Sequence, residues 1–232
     1  MEMERKDKYS ALDNPAWSAL TSQHSEFAIG PALAKRYRAD IVSFTGFAEP
    51  TVAAAAALDP LMAAGEHFFI IGEPPPLPEG WEVKNDLACV QMVCESPVTV
   101  PATVEIEPLV EKQAREMYDL VQLVQPGYYL LNTHRMGDYY GIRQEGKLVA
   151  IAGERMRTDV FTELSAICTH PDFTGRKYAQ QLTAHLCRKN IEAGKIPFLH
   201  ASTANSRAIG VYELMGFRTR REISFRLTVK NK

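Results

Sequence analysis

The stretch "VFTELSAICTHPDFTGRKYAQQLTAHLCRKNIEAG", residues 160–194, constrains the fold of this chain more than any other. After Thr162 the residues are nearly all apolar or small, which reads as a buried strand. The strand has to end at His170-Pro171, because proline cannot donate to a ladder. A helix follows from about Arg176 to Ala193. Ala179, Leu182, Thr183, Leu186, Cys187 and Ile191 share one face of it, and Gly194 stands where a terminator belongs. Next come a short strand, "IPFLHAS", and a helix, "NSRAIGVYELMG", capped by Asn205 and closed by Gly216. "FRTRREISFRLTV" finishes as a strand.

Upstream, "EPLVEKQAREMYDLVQLV" reads as an amphipathic helix, with Leu109, Ala114, Met117, Leu120, Val121 and Val124 near helical spacing. "DYYGIRQEGKLVAIAGERM" reads as two strands joined at Glu145-Gly146. The order helix, strands, helix, strand, helix, strand predicts an α/β fold of mixed α+β type, a mixed sheet flanked by helices.

The first hundred residues are less regular. "NPAWSALTSQH" predicts a helix after Asp13 or Asn14 as cap. "ADIVSFTGF" and "EHFFIIG" read as buried strands, and the alanine-rich segment between them as a helix broken at Pro60. "EPPPLPEGW" interrupts any sheet and leads into the strand "LACVQMVC". The turn-rich "SPVTVPAT" marks a division into halves, 1–102 and 103–232.

A formal net charge of -2 over 232 residues gives no electrostatic reason to expect nucleic acid or a membrane as partner. The local basic clusters Arg218/Arg220/Arg221 and Lys230/Lys232 read as a solvated strand face. No apolar run approaches the roughly 20 residues that span a bilayer, and the charged start is unlike a signal peptide. Cys89, Cys94, Cys168 and Cys187 lack metal-ligand spacing and read as reduced thiols of a cytoplasmic protein. His134, His170 and His200 are not spaced as a metal site either, so no metal is expected. The tyrosines of "DYYGIRQ" and "PGYYLLNTH" fit an aromatic hairpin core or the mouth of an acceptor pocket.

The passage from strand to helix at 170–178 carries the chemistry. The first turn of a helix has unpaired N–H groups and the positive end of the dipole, which together hold phosphate. Gly175 lets the backbone approach closely or take an unusual φ, and Arg176 and Lys177 add charge. An ordinary turn entering an ordinary helix would share much of this pattern.

Two motifs in order, "LSAICTHPDFTGRKYAQQL" and "PFLHASTANSRAIGVYELMGF", resemble the GNAT superfamily of acyl-CoA-dependent N-acyltransferases. The branch most like this chain is the one related to the C-terminal domain of glycine N-acyltransferases. The second motif matches through Asn205, Ala208, Tyr212, Glu213, Gly216 and Phe217. The resemblance is strong from about Phe161 to Phe217. The family's loop departs here: Thr174 stands in place of a basic or amide residue, and Lys177 in place of a glycine. If that glycine needs φ > 0, Lys177 is strained by about 1 kcal/mol or more. If it lies in the first helical turn, lysine fits and its ammonium joins the grip on the phosphates. A helix already under way at Tyr178 favours the second case.

The resemblance implies acetyl-CoA or another acyl-CoA as co-substrate, held in a cleft where two parallel strands, "ELSAICT" and "PFLHAS", splay apart. Backbone of Ile167, Cys168 and Thr169 would pair with the pantetheine arm, and Thr174, Gly175, Arg176, Lys177, Tyr178 and Ala179 would surround the phosphates. Asn205, beyond capping, and Ala208 would adjoin the cofactor. Tyr212 aligns with the tyrosine that protonates the departing thiolate; packing in a helix interface is its other role. Glu163 is expected to take a proton from the amine, directly or through water, or else to be a solvent-facing strand end. The resemblance further implies a degenerate GNAT-like N-terminal half shaping the acceptor site. The expected activity is transfer of an acetyl or short acyl group to a primary amine of a small molecule or amino acid, by a monomer or homodimer. A non-catalytic acyl-CoA-binding or protein-interaction module of the same fold is the alternative.

Overall fold

The computed structural model describes residues 8–231. Its strands are β1 (Ala28–Ile29), β2 (Ala34–Tyr37), β3 (Phe44–Phe47), β4 (His67–Ile71), β5 (Trp81–Val93), β6 (Glu107–Leu109), β7 (Tyr139–Gln144), β8 (Lys147–Arg157), β9 (Phe161–Thr169), β10 (Ile196–Ser202) and β11 (Arg218–Lys230). Its α-helices are α1 (Pro15–Leu20), α2 (Val52–Leu58), α3 (Ala114–Val124), α4 (Tyr178–Glu192) and α5 (Ser206–Leu214). Two compact units result. One holds the described residues of Met1–Ala39, Ser43–Cys89 and Glu222–Lys232; the other holds Asp40–Val42 and Val90–Arg221. These units do not meet at a single cut between 102 and 103, because β5 and β11 each give residues to both.

In the first unit the strand order is β1-β2-β3-β4-β11. All neighbours are antiparallel except β3 and β4, which run parallel. A parallel pair needs a crossover, and α2 supplies it. Thr51 starts α2 by accepting the Ala54 N–H at 3.2 Å. Asn14 starts α1 by accepting the Trp17 N–H, and Pro15 occupies a first-turn position whose N–H has no helical partner anyway. Gly46 is required where α1 crosses β3, since a Cβ there would sit 2.5 Å from the Trp17 nitrogen. Ala54, Leu58, Phe47, Phe68, Ile70 and Trp81 form the core under α2. The strand expected over "ADIVSFTGF" begins only at Phe44, and β2 was not anticipated.

In the second unit the order is β5-β10-β9-β8-β7-β6. The β7–β8 hairpin turns at Glu145 and Gly146, both with positive φ (51° and 80°), which matches the right-handed twist of the strands. Leu182 and Leu186 of α4 bury one sheet face with Met92, Val149, Leu164 and Leu199. Met117, Leu120 and Val121 of α3 bury the other with Tyr139, Ile151 and Cys168. The long helix expected from residue 107 starts only at Ala114. Glu107–Leu109 is instead strand β6, paired antiparallel with β7. Leu109 still enters the α3 core, so its apolar spacing mimicked a helical turn.

Two irregularities in β9 shape this unit. Its pairing with β8 runs Ile151↔Cys168 and Gly153↔Ser165, so β9 holds one extra residue. Ala166 lies in this bulge with φ 51°. On its other edge β9 pairs in parallel with β10 at three positions: Phe161↔Ile196, Thr162↔Pro197 and Glu163↔Phe198. Beyond Glu163 and Phe198 no register continues, and the two strands part.

Among the described residues, no helix is long and apolar enough to cross a membrane.

Candidate active site

The opened edge of β9 consists of backbone with no strand beside it, and unpaired peptide groups there must find a partner. Ile167 shows what such a partner looks like: its carbonyl accepts from the Gln125 amide at the end of α3, at 3.3 Å. Ile167, Cys168 and Thr169 therefore stand where an extended ligand could add itself as a strand. Cys168 is buried, and burial pushes its thiol up to about 12, so it is inert as a nucleophile.

At the end of β9 the chain makes one 3₁₀ turn, Pro171–Phe173, and then enters α4. His170 Nδ1 accepts the Asp172 N–H at 3.3 Å, and Thr174 Oγ1 donates to the Pro171 carbonyl at 3.1 Å. Thr174 thus folds its own turn. Gly175 has φ 80° with nothing near the place a Cβ would take. The Arg176 guanidinium lies 5.0 Å over the Phe173 ring.

Lys177 departs from the expectation of a first-turn residue. It is the N-cap of α4 and is left-handed, with φ 61° and ψ 21°. The loop keeps a glycine's shape without the glycine, because α4 packs through Tyr178 and Leu182 and the backbone must turn to meet it. No side chain caps α4, so its first amides remain available for an anion. Thr174, Gly175, Arg176 and Lys177 are exposed, Tyr178 is buried in the core, and Ala179 is half-buried.

Asn205 caps α5 through Oδ1, accepting the Ala208 N–H at 3.1 Å. Tyr212, one turn on from Ala208, is half-buried against the core under α4, with its ring 5.8 Å from that of Phe217. Burial raises its phenol to about 12, with Cys168 adding to the effect. Tyr212 therefore stays protonated across the physiological range.

Glu163 is neither solvent-facing nor placed to act as a base. It is 0 % exposed, and its two oxygens accept from Arg155 at 2.6 and 2.8 Å. Burial alone would raise its pKa, but the charge and hydrogen bonds of Arg155, with the His200 hydrogen bond, hold it at about 2. A carboxylate that weak cannot draw a proton from an ammonium group. Glu163 instead links the strands where they part: His200 Nδ1, on β10, lies 2.7 Å from Oε1. Gln91 Nε2 stands 3.1 Å from His200 Nε2, and Gln91 Oε1 accepts from Arg220 at 2.8 Å. With Gln91 as donor, His200 must carry its proton on Nδ1 and donate it to Glu163.

This chain of polar residues was not legible as a group, because its members lie on five strands spread along the sequence. Only the placement of His200 on a cleft strand hinted at it.

Comparison with known proteins fits this geometry. The family model described as FR47-like protein matches residues 139–226. A GNAT-family protein from Novosphingobium aromaticivorans is 32% identical, with 95% of this chain aligned to 99% of that one and a TM-score of 0.88. The chain belongs to the GNAT family. Two other GNAT-like structures share the fold at lower identity. A GCN5-related N-acetyltransferase from Kribbella flavida is 15% identical, with 90% of this chain and 95% of that one covered and a TM-score of 0.60. A GCN5-related N-acetyltransferase-like protein from Streptococcus suis is 13% identical, with 97% and 99% covered and a TM-score of 0.58. No curated protein sequence matches the chain.

Proposed function

We propose that this GNAT protein transfers an acetyl or other short acyl group from acyl-CoA to a primary amine of a small molecule or amino acid. The observation that carries the reading is the parting of β9 and β10 beyond Glu163 and Phe198, with the uncapped start of α4 following the same strand. An acyl-CoA fits that pattern chemically. Its pyrophosphate matches the free amides of α4 and the cations Arg176 and Lys177. Its amide-bearing arm matches the opened edge of β9 at Ile167–Thr169, where no strand lies beside it.

Backbone N–H groups at the Ala166 bulge polarise the thioester carbonyl. The amine nitrogen then attacks the carbonyl carbon, forming C–N as C–S breaks. Tyr212 gives its phenolic proton to the departing thiolate and is reprotonated by water. The amine's surplus proton leaves to water, since Glu163 is held by Arg155. Charge balance also leaves the acceptor small: the formal net charge of -2 attracts no strongly charged macromolecule.

The direct test is thiol release from acetyl-CoA in the presence of small primary amines, with acylated product identified by mass. Acetyl-CoA at 100 times its dissociation constant should also stabilise the fold by about 2.7 kcal/mol. Stabilisation without thiol release, across the amines, would assign the chain to the non-catalytic class. Absence of both would remove acyl-CoA altogether.

A further inference from the structure

Tyr139 is 2 % exposed, and its hydroxyl is one of two buried side-chain polar atoms without a hydrogen-bond partner among the described residues. Burying a hydroxyl with nothing to bond is unfavourable, and phenylalanine would fill the same core without that penalty. The ring needs unusual room: a Cβ on Gly153 would come within 2.2 Å of its carbons. Tyr139 and Gly153 are cross-strand partners, and Gly153 in turn faces Ser165, the residue before the bulged Ala166. The ring therefore leans from β7 across β8 toward the bulge in β9. Burial raises the phenol's pKa, and Arg155, Glu163 and Glu154 are the charged groups that bear on it. Arg155 and Glu163 bond each other, and the phenol oxygen has no hydrogen-bond partner among the described residues.

Tyr139 belongs to the core under α3, and Tyr212 packs against the core under α4. The two phenols thus belong to opposite faces of the same sheet, on either side of the parted strands. We propose that the Tyr139 hydroxyl oxygen is the hydrogen-bond partner of the incoming nucleophile, accepting one N–H of a primary amine and holding its lone pair toward the thioester carbon. The inference rests on the acyl-transfer reading. Tyr139 forms no covalent bond and keeps its own proton; C–N forms, C–S breaks, Tyr212 protonates the sulfur, and water receives the amine's proton. Without amine, a water molecule takes the same place and acetyl-CoA is slowly hydrolysed.

The test compares wild type with Tyr139→Phe, using acetyl-CoA alone and with n-butylamine, benzylamine or glycine. Thiol release should fall about tenfold or more, the loss of one hydrogen bond made in the transition state. The dissociation constant for acetyl-CoA should stay unchanged, and the melting temperature should hold or rise. Equal thiol release in the two proteins would overturn the proposal and leave acyl transfer standing. So would a loss of activity that merely follows a lower melting temperature and weaker acetyl-CoA binding, since that is a packing role. No thiol release by wild type with any nucleophile would overturn the acyl-transfer reading, and this proposal with it.

Discussion

Lys177 shows how a residue that departs from the pattern the loop resembles can still take a glycine's left-handed conformation. A non-glycine residue at φ 61° is strained by about 1 kcal/mol, and glycine there would be relaxed. Lys177→Gly should therefore raise the melting temperature by about 2–4 °C, the shift expected of 1 kcal/mol in a chain of this size. The same change removes a cation beside the uncapped α4, so acetyl-CoA should bind more weakly, most visibly at low salt. Lys177→Ala separates the two effects by losing the charge while keeping the strain. An unchanged melting temperature in Lys177→Gly would show that the lysine is relaxed in place. Tyr212 makes a cleaner case, because its hydroxyl is asked only to give up a proton. Tyr212→Phe should cut single-turnover thiol release about 100-fold with acetyl-CoA affinity intact; equal rates would remove Tyr212 from the chemistry. With the phenol raised to about 12, its proton should remain in place through pH 10, so no alkaline fall in rate below that pH should trace to Tyr212.

Strands β9 and β10 pair over three positions and are then bridged by Glu163 and His200. The ion pair behind that bridge is fully buried, and removing one partner strands the other's charge at a cost of about 3–5 kcal/mol. Glu163→Gln should lower stability on that scale while the molecules that remain folded keep the wild-type pH profile of thiol release. A shifted pH profile would instead restore Glu163 as the base. The acid limb gives an independent check. Folding depresses the Glu163 pKa from 4.5 to about 2, so its contribution is complete above 4.5 and is lost as pH falls toward 2. Glu66 is depressed likewise, burial opposing and Arg36 prevailing, so the variant's urea midpoint should lose only part of its acid dependence. Elements whose signals are local were legible in the sequence: the Asn205 cap, a helix start capped at Asp13 or Asn14 (Asn14 in the structure), the Glu145-Gly146 turn, and β9 ended by Pro171. What failed was set by partners. Glu107–Leu109 carried helical spacing but is held as a strand by β7, and β2, a mixed run of Ala34, Lys35, Arg36 and Tyr37, has no alternation to announce it. Glu163 could not be recognised as one half of a buried pair, because Arg155 and His200 meet it only once three strands are side by side.

At the scale of the whole chain, the same non-local logic decides which fragments can stand alone. The turn-rich "SPVTVPAT" suggests a boundary near residue 102, and a fragment of 103–232 contains every residue matched by the FR47-like model. That fragment nonetheless lacks Val90, Met92 and Cys94, which are 9 %, 0 % and 0 % exposed within the second unit's core. It also loses Gln91, which ties His200 to Arg220. At the other end it carries Glu222–Lys232, whose buried Ile223, Phe225 and Val229 belong to the first unit. Each such side chain left in water forfeits about 1.5–3 kcal/mol, and a domain's whole stability is about 5–15 kcal/mol. The β5 side chains alone remove a large part of the stability of the second unit's core. The 103–232 fragment should thus show no cooperative melt by circular dichroism and no stabilisation by acetyl-CoA, where the full chain shows both. A cooperative melt from the fragment, shifted upward by acetyl-CoA, would mean that the β5 residues are dispensable and that the family's motifs fold without them.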